Sequence, residues 1–311
     1  MIDRYGAPEV VRIAEVPMPV PGADEVLVRV HAAAVTSGDA RIRAARFPSG
    51  FAPFARMAFG IFRPRRKILG ATFSGVVEAL GSRAEGFAVD DAVCGMTGIR
   101  MGAHAEYITV ATKRLARKPS AVSHEDAAGL LFGGTTALFF LRDKASVGPG
   151  MSVLVNGASG AVGTNAVQLA KDFGATVTAV TSTANIALAT TLGAVRVIDY
   201  TSEDLASEGG RFDAVLDTVG NLSVQSGRRL LSPRGKLLLA VASLGTTIRA
   251  RGNVVAGTGP ESPEDFEFLL ALLADGRLTV VLDQVYDLNG IVDAYRRVDS
   301  GHKRGNVIVR L

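Results

Sequence analysis

Asn156-Gly157-Ala158-Ser159-Gly160-Ala161-Val162-Gly163 stands between an apolar run, Met151-Ser152-Val153-Leu154-Val155, and a helical pattern from Thr164 to Phe173. A strand, a glycine-rich turn and a helix form the context that a dinucleotide pyrophosphate needs. The turn is tight, the backbone can approach phosphates without a Cβ in the way, and the helix N-terminus points at them. Set against G-x-G-x-x-G, the three special positions fall on Ala158, Gly160 and Gly163, with an additional Gly157 in front. Gly160 would admit the phosphates, and Gly163 would let the helix pack on the strand. Val162, Ala166, Leu169, Ala170 and Phe173 share the helix face that meets the sheet. A bare glycine motif is weak; correct flanks make this one stronger. The competing reading is a glycine-rich turn with no ligand.

Working outward, strands and helices alternate. After residues 153–155 and their helix come strands at 176–181, 195–198, 214–217 and 236–241, with helices over 184–192 and around 224–231. This spacing predicts right-handed crossovers and a parallel sheet of six strands, with ligand at the switch point. Upstream, the chain reads as short strands and turns. Residues 25–32 alternate as a half-buried strand after Pro21-Gly22, and 75–81, 91–95 and 105–110 are strand-like. Helices are expected over 125–131 and 135–144. The tail changes again, with an amphipathic helix over 262–275 that puts Phe266, Leu269, Leu270 and Leu273 on one face, then strands at 280–282 and 306–309. The division expected is 1–123 with 262–311 as one domain and 124–261 as the nucleotide domain.

Composition bounds the reading. The 311 residues allow one large or two medium domains, and 48% hydrophobic content supports a core. No apolar run is long enough for a membrane span, and Met1-Ile2-Asp3-Arg4-Tyr5 lacks a signal-peptide core. A cytoplasmic protein with no membrane partner is the simplest expectation. The one cysteine, Cys94, excludes an internal disulfide and a cysteine-rich zinc site. A net charge of +4 is a weak argument for nucleic acid, and Arg63-Pro64-Arg65-Arg66-Lys67 reads as a solvated loop.

The end of the second strand of the nucleotide domain sets cofactor choice. An NAD site usually has Asp or Glu there. This chain has Thr181-Ser182-Thr183-Ala184-Asn185, with no carboxylate to repel a 2′-phosphate and several groups to donate to it. NADPH is therefore favoured over NADH. The loop has no Lys or Arg; Arg196 or Tyr200 would supply part of the contact.

These residues resemble the zinc-independent quinone oxidoreductases (zeta-crystallin-like) of the medium-chain dehydrogenase/reductase superfamily. The likeness runs from the glycine turn through Ala166-Val167-Gln168-Leu169-Ala170-Lys171, Leu192-Gly193-Ala194 and Val197-Ile198-Asp199-Tyr200. It also takes in Gly133-Gly134-Thr135-Thr136-Ala137, Gly102-Ala103-His104-Ala105-Glu106-Tyr107, Tyr286-Asp287-Leu288 and Gly301-His302-Lys303-Arg304-Gly305. It implies an α/β fold, a doubly wound parallel Rossmann sheet plus a β-rich GroES-like catalytic domain, in a homodimer. Zinc-dependent relatives have Cys where this chain has Thr36, and His-Glu where it has Ala71-Thr72, so no metal site is expected. His31, His104, His124 and His302 read as structural or exposed. Against the family pattern, no first strand is expected before Asp3-Arg4-Tyr5-Gly6.

The resemblance implies NADPH-dependent hydride transfer to a quinone or an α,β-unsaturated carbonyl, a small-molecule substrate. Thr36 and Thr136 are the candidate catalytic groups, with Asp39 and Arg43 as alternatives; Asp39 also reads as a helix cap. The cofactor-binding set is Gly157, Ala158, Ser159, Gly160, Ala161, Val162, Gly163, Thr181, Ser182, Asn185, Tyr200, Thr218, Val219, Val241, Ala242 and Ser243. Two alternatives remain: an enoyl-thioester reductase, disfavoured because no Tyr lies between Val35 and Gly70, and a non-catalytic NADPH-binding regulatory protein.

Overall fold

A computed structural model describes residues 1–208 and 211–311. Two sheets organise the chain. The first opens with β1 (Glu25–Val35), β2 (Thr72–Leu80), β3 (Ala92–Met96), β4 (Tyr107–Ala111) and β5 (Leu115–Arg117). The second holds β6 (Ser152–Asn156), β7 (Thr176–Thr181), β8 (Arg196–Asp199), β9 (Phe212–Asp217), β10 (Leu231–Leu239) and β11 (Val254–Ala256). β12 (Leu282–Asp287) and β13 (Asn306–Arg310) return to the first sheet, whose order is β12-β13-β1-β2-β3-β5 with β4 also on β1.

All pairings within the second sheet are parallel, in the order β11-β10-β9-β6-β7-β8. The chain enters at β6, winds outward to β8, then crosses back to β9. The carboxyl ends of β6 and β9 therefore flank the crevice where the winding reverses, as doubly wound sheets require of a ligand site. The sixth strand, which the sequence pattern left unplaced, is β11. β1 differs from expectation: it is longer, pairs with β2, β4 and β13, and is buried on both faces over residues 32–35, where Ala32 and Ala34 pack against Ala128.

The helices among the described residues are α1 (Ser37–Ala44), α2 (Ala52–Phe59), α3 (His124–Leu138), α4 (Ala161–Asp172), α5 (Ile186–Leu192), α6 (Val224–Arg229), α7 (Leu244–Arg249), α8 (Pro263–Ala274) and α9 (Ile291–Asp299). Where two helices were expected on either side of Gly133-Gly134, α3 runs straight through. The glycines are there for packing. A Cβ on Gly133 would lie 2.2 Å from the Ala161 carbonyl oxygen at the start of α4, and one on Gly134 would lie 2.9 Å from Leu269 Cδ1 of α8. Gly133→Ala should gain about 1 kcal/mol of helix propensity but cost more through overpacking, typically ~1–3 kcal/mol and here against rigid backbone. A melting temperature several degrees below wild type is the expected reading by differential scanning fluorimetry. An unchanged value would mean that α3 and α4 can slide apart freely.

The histidines are less scattered than the sequence suggested. His31 of β1 stacks on His124 at the start of α3, with centroids 4.6 Å apart and rings 13° from parallel. Ser74 Oγ donates to the Val93 carbonyl and so accepts from His124 Nδ1 at 2.8 Å. Burial, helped by the Lys118 and His31 charges, pushes the His124 pKa down to about 4, and burial also lowers that of His31. The His124 imidazole is then neutral when folded down to about pH 4 but binds a proton near pH 6.5 when unfolded, and His31 is shifted in the same direction. The unfolded chain takes up more protons between those limits, so stability is complete above about pH 6.5 and falls as the pH drops toward 4. Melting curves at pH 7.5 and pH 5 should show this fall, and His124→Asn should flatten it.

Candidate functional site

The loop between β6 and α4 has the geometry the glycine pattern calls for, with one shift of register. Gly157, not Ala158, takes the left-handed conformation, at φ +83°. A Cβ on Gly157 would meet Thr218 Oγ1 at 2.5 Å and Val219 Cγ2 at 2.6 Å. Ala158 turns its methyl into the main apolar core and offers no side chain to a ligand. Gly163 is a packing position, where a Cβ would sit 2.1 Å from the Gly157 carbonyl oxygen. At Gly160 the nearest atom to a built Cβ is 3.6 Å away, so the space above this residue is open. Gly160 is also the N-cap of α4, and no side chain caps it. The first amides of α4 face that space with their partial positive charge uncompensated.

A cavity of about 680 Å³ lies over this helix start. Gly157, Ser159, Gly160, Ala161, Val162, Thr181, Tyr200, Thr218 and Val219 of the expected set line it. Beneath it, Asn156 and Asp217 are register partners on β6 and β9. Asp217 is fully buried, and its carboxylate accepts from Asn156 Nδ2 and from the amides of Val219, Gly220 and Leu222, at 2.9–3.0 Å. Asn156 Nδ2 also donates to Asn221 Oδ1. This network shapes residues 218–222, the far wall of the cavity. Sequence reasoning placed Thr218 and Val219 at the site but missed Asp217 as the anchor of that wall.

Lys303 was also missed. It lines the same cavity, on a loop stitched to the glycine turn by a Gly305 amide to Ser159 carbonyl bond of 2.7 Å. Its ammonium donates to the Gly305 carbonyl, and burial pushes its pKa down to about 8. The bracketing Gly301 and Gly305, both at positive φ, were the available signal.

At the end of β7, Thr181 Oγ1 and Asn185 Oδ1 are buried without a hydrogen-bond partner. Residues 181–185 carry no carboxylate, but a neighbouring strand brings one beside them. Asp199, at the end of β8, accepts from the Thr183 hydroxyl at 2.5 Å and from the hydroxyl and amide of Thr201. The Asn185 amide donates to Ser182 Oγ. Thr183 is thus spent within the protein, and Ser182 and Asn185 lie outside the cavity wall.

A second cavity of about 370 Å³ shares Ser37 and Val298 with the first. Arg41, Arg46, Phe47, Pro48 and Val241 line the rest of its wall with Ala40 and Asp299. Of the residues expected after β10, only Val241 reaches it. Ser243 caps α7 by accepting from the Thr246 amide, and Ala242 packs with the sheet core. Burial without a countercharge lowers the Arg41 pKa, and its guanidinium has no bonded partner among the described residues.

The candidate catalytic groups are committed elsewhere. Thr36 Oγ1 accepts from the Asp39 amide and donates to Asp39 Oδ2 at 2.6 Å, a reciprocal cap on α1. Asp39 is the second half of that cap, accepting from the Thr36 amide, and it also accepts from the Gly70 amide. Thr136 Oγ1 donates back to the Phe132 carbonyl in its own helix. Arg43 is fully buried away from the cavities, bonded to the Gly6 carbonyl and to Asp299. Among the described residues, no three of His, Cys, Asp and Glu come together as a metal-holding group. Thr72 is buried with its hydroxyl unpartnered.

Comparison with known proteins fits this geometry. The alcohol dehydrogenase GroES-like domain family model matches residues 22–120, and the zinc-binding dehydrogenase model matches residues 192–309. The chain is 30% identical to 2-methylene-furan-3-one reductase of Solanum lycopersicum over 98% of its length and 76% of that protein's. It is 30% identical to the mitochondrial NAD(P)H oxidoreductase RTN4IP1 of Homo sapiens, covering 100% of this chain and 88% of that one. The solved quinone oxidoreductase from Coxiella burnetii superposes with a TM-score of 0.90 at 28% identity, covering 100% of this chain and 98% of that one.

Proposed function

This chain belongs to the quinone oxidoreductase-like branch of the medium-chain dehydrogenase/reductase superfamily, a group of NAD(P)H-dependent oxidoreductases, and from that premise we propose that it passes hydride from NADPH to a quinone or an α,β-unsaturated carbonyl without a metal. One observation carries the reading: the uncapped start of α4 faces a cavity that shares Ser37 and Val298 with a second one, whose mixed polar and apolar wall includes the unpaired Arg41 guanidinium. Residues 1–123 with 262–311 would form the catalytic domain, and 124–261 the nucleotide domain.

The cradle over Gly160 and the unpartnered Thr181 hydroxyl fit a dinucleotide. The amides at the start of α4 that follow Gly160, whose own amide is bonded to the Gly157 carbonyl, would hold its pyrophosphate, assisted by the Lys303 ammonium. Tyr200, with Thr181 nearby, would meet the adenosine end; no side chain of residues 181–185 is acidic, the Asp199 carboxylate is engaged in three hydrogen bonds, and Glu203 and Asp204, which also line the cavity, accept from the Asp199 and Ala206 amides. Val219 and Val241 would border the nicotinamide. When bound, NADPH supplies the hydride. The chain positions the acceptor between Phe47 and Val241 and uses Arg41 to stabilise the negative charge that develops on the acceptor oxygen. The proton comes from solvent.

The test is NADPH oxidation in EDTA against a panel of quinones, enones and a crotonyl thioester. Turnover with a quinone or enone, faster with NADPH than NADH, is expected. Tight NADPH binding with no oxidation, or a crotonyl thioester outpacing the panel, overturns the reading. Two variants separate the roles. Arg41→Gln should lower kcat at least tenfold with NADPH affinity kept. Lys303→Met should weaken NADPH binding roughly 10–100-fold, the loss of one charge-assisted contact, with kcat kept at saturation. Wild-type affinity should also fall as pH rises past about 8, where free Lys303 loses its proton; the Met variant should lose that dependence.

A further inference from the structure

The Arg63-Pro64-Arg65-Arg66-Lys67 run, expected to be a solvated loop, lies in a setting its charge alone does not convey. From Ala40 to Val77 the chain holds eight arginines and lysines and no aspartate or glutamate. The whole chain is only +4, so the remainder is net negative by four. α2, within this stretch, buries none of its residues. Phe54 is 58% exposed, Met57 63%, Ile61 52% and Phe62 89%. Single exposed apolar side chains are ordinary, but four large ones within nine residues make a patch.

The patch is held in place. Arg56 Nη1 donates to the Ile61 carbonyl at 2.6 Å, Arg65 Nη1 to the Met57 carbonyl, and the Arg65 amide to the Phe59 carbonyl. Tyr5 donates its hydroxyl to the Gly60 carbonyl. Two arginines are thus used to fix the backbone that displays the apolar side chains. Arg63 and Arg66 are exposed and bonded to nothing among the described residues, and Lys67 makes one exposed pair with Asp3 at 3.2 Å.

Charge and chemistry together select the occupant. A second copy of the chain meeting the same face about a twofold axis would set this positive field against itself. A nucleic acid would use the cations and leave Ile61 and Met57 unexplained. An anionic bilayer uses both, with apolar side chains entering the acyl boundary and cations facing lipid phosphates. We propose that residues 52–67 form a peripheral docking surface for membranes containing anionic lipid. No helix among the described residues can cross a membrane; this one lies on it, contrary to the expectation of no membrane partner. The Phe59 ring of α2 is stacked on Phe47, a wall of the second cavity, with centroids 6.4 Å apart. On the function proposed above, docking would bring the acceptor entrance beside a reservoir of lipophilic quinone.

Co-sedimentation of the full chain with phosphatidylcholine vesicles, with and without phosphatidylglycerol, tests the surface without turnover, so its failure is separable from that of the function. Binding to phosphatidylglycerol vesicles is expected, weaker on phosphatidylcholine and at high salt. Arg63→Gln with Arg66→Gln should lower the partition coefficient roughly 25-fold, about fivefold per cation. Phe54→Ser with Phe62→Ser should reduce it at least as much. Both double variants change exposed side chains and should keep wild-type NADPH oxidation with a water-soluble acceptor. No partition, or equal partition on both vesicles, overturns the proposal. So does wild-type vesicle binding by the serine variant, with oligonucleotide binding lost in the glutamine variant. A wild-type dimer that the serine variant splits, seen by light scattering, would instead assign the face to a second copy.

Discussion

Gly160→Asp should abolish NADPH binding while leaving the apo protein as stable as wild type or slightly more so. The opposite signs are what make the result informative. Gly160 has φ −80° and ψ 175°, a conformation open to any residue, and nothing but the Gly157 carbonyl oxygen lies within 4 Å of a built Cβ. Strain and crowding are therefore absent. The position is the N-cap of α4, where aspartate is among the best residues and exceeds glycine by a few tenths of a kcal/mol. The carboxylate would take the helix-start amides for itself and place a negative charge where the pyrophosphate belongs. Loss of the anion-amide contacts combined with like-charge repulsion should cost at least 3–4 kcal/mol of binding, a factor of several hundred in Kd, by comparison with other charge-assisted contacts. Fluorescence titration with NADPH reads the loss, and a thermal melt without ligand reads the stability. Retained binding would refute the assignment of the cavity. Lost binding with a lowered melting temperature would mean that the loop had collapsed, and would leave the anion argument without support.

That prediction rests on a segment the sequence displayed openly, and the reason is local. A parallel strand buried on both faces must be apolar, a turn at positive φ favours glycine, and a helix packed on a strand repeats every third or fourth residue. Residues 151–173 satisfy all three within one stretch, so the β6–α4 unit and its ligand class could be read directly. The slip from Ala158 to Gly157 arose because a motif counts positions while φ is set by the path of the chain. What could not be read were features made by residues distant in sequence. Lys303 reaches the cavity only because Gly305 pairs with Gly160 across the two sheets. Asp199 approaches Thr183 only because β7 and β8 end side by side. Gly133-Gly134, which punctuates a helix when seen alone, permits one when α4 and α8 press against it. Thr36 looked like a free polar group beside a cleft. Its neighbour at the third position, Asp39, was the capping signal in plain view, and helix capping outweighs availability to a ligand.

Asp217→Ala should be among the most destabilising single changes near the site, with cofactor affinity lost alongside stability. One oxygen, Oδ1, accepts from Asn156 Nδ2 at 2.9 Å, Val219 N at 2.9 Å and Gly220 N at 3.0 Å, and the other, Oδ2, accepts from Leu222 N at 3.0 Å. Alanine strips four donors of their acceptor at a position with no exposure to solvent. Each donor left unsatisfied in such a place costs ~1–3 kcal/mol. Partial relaxation of residues 218–222 toward water limits the total, so about 4 kcal/mol is the expected loss of unfolding free energy in urea. The relaxation that limits the cost also moves Thr218 and Val219, two walls of the cavity, and NADPH affinity should drop with it. Asparagine distinguishes this account from a simple need for negative charge. With its amide oxygen placed as Oδ1, three donors keep their acceptor and the amide nitrogen faces only the Leu222 N–H. One clash between donors should then cost ~1–3 kcal/mol, and the turn should survive well enough to bind NADPH. Equal losses in the two variants would show that the charge itself holds the wall, whereas a graded loss, alanine well beyond asparagine, assigns the role to hydrogen-bond acceptance.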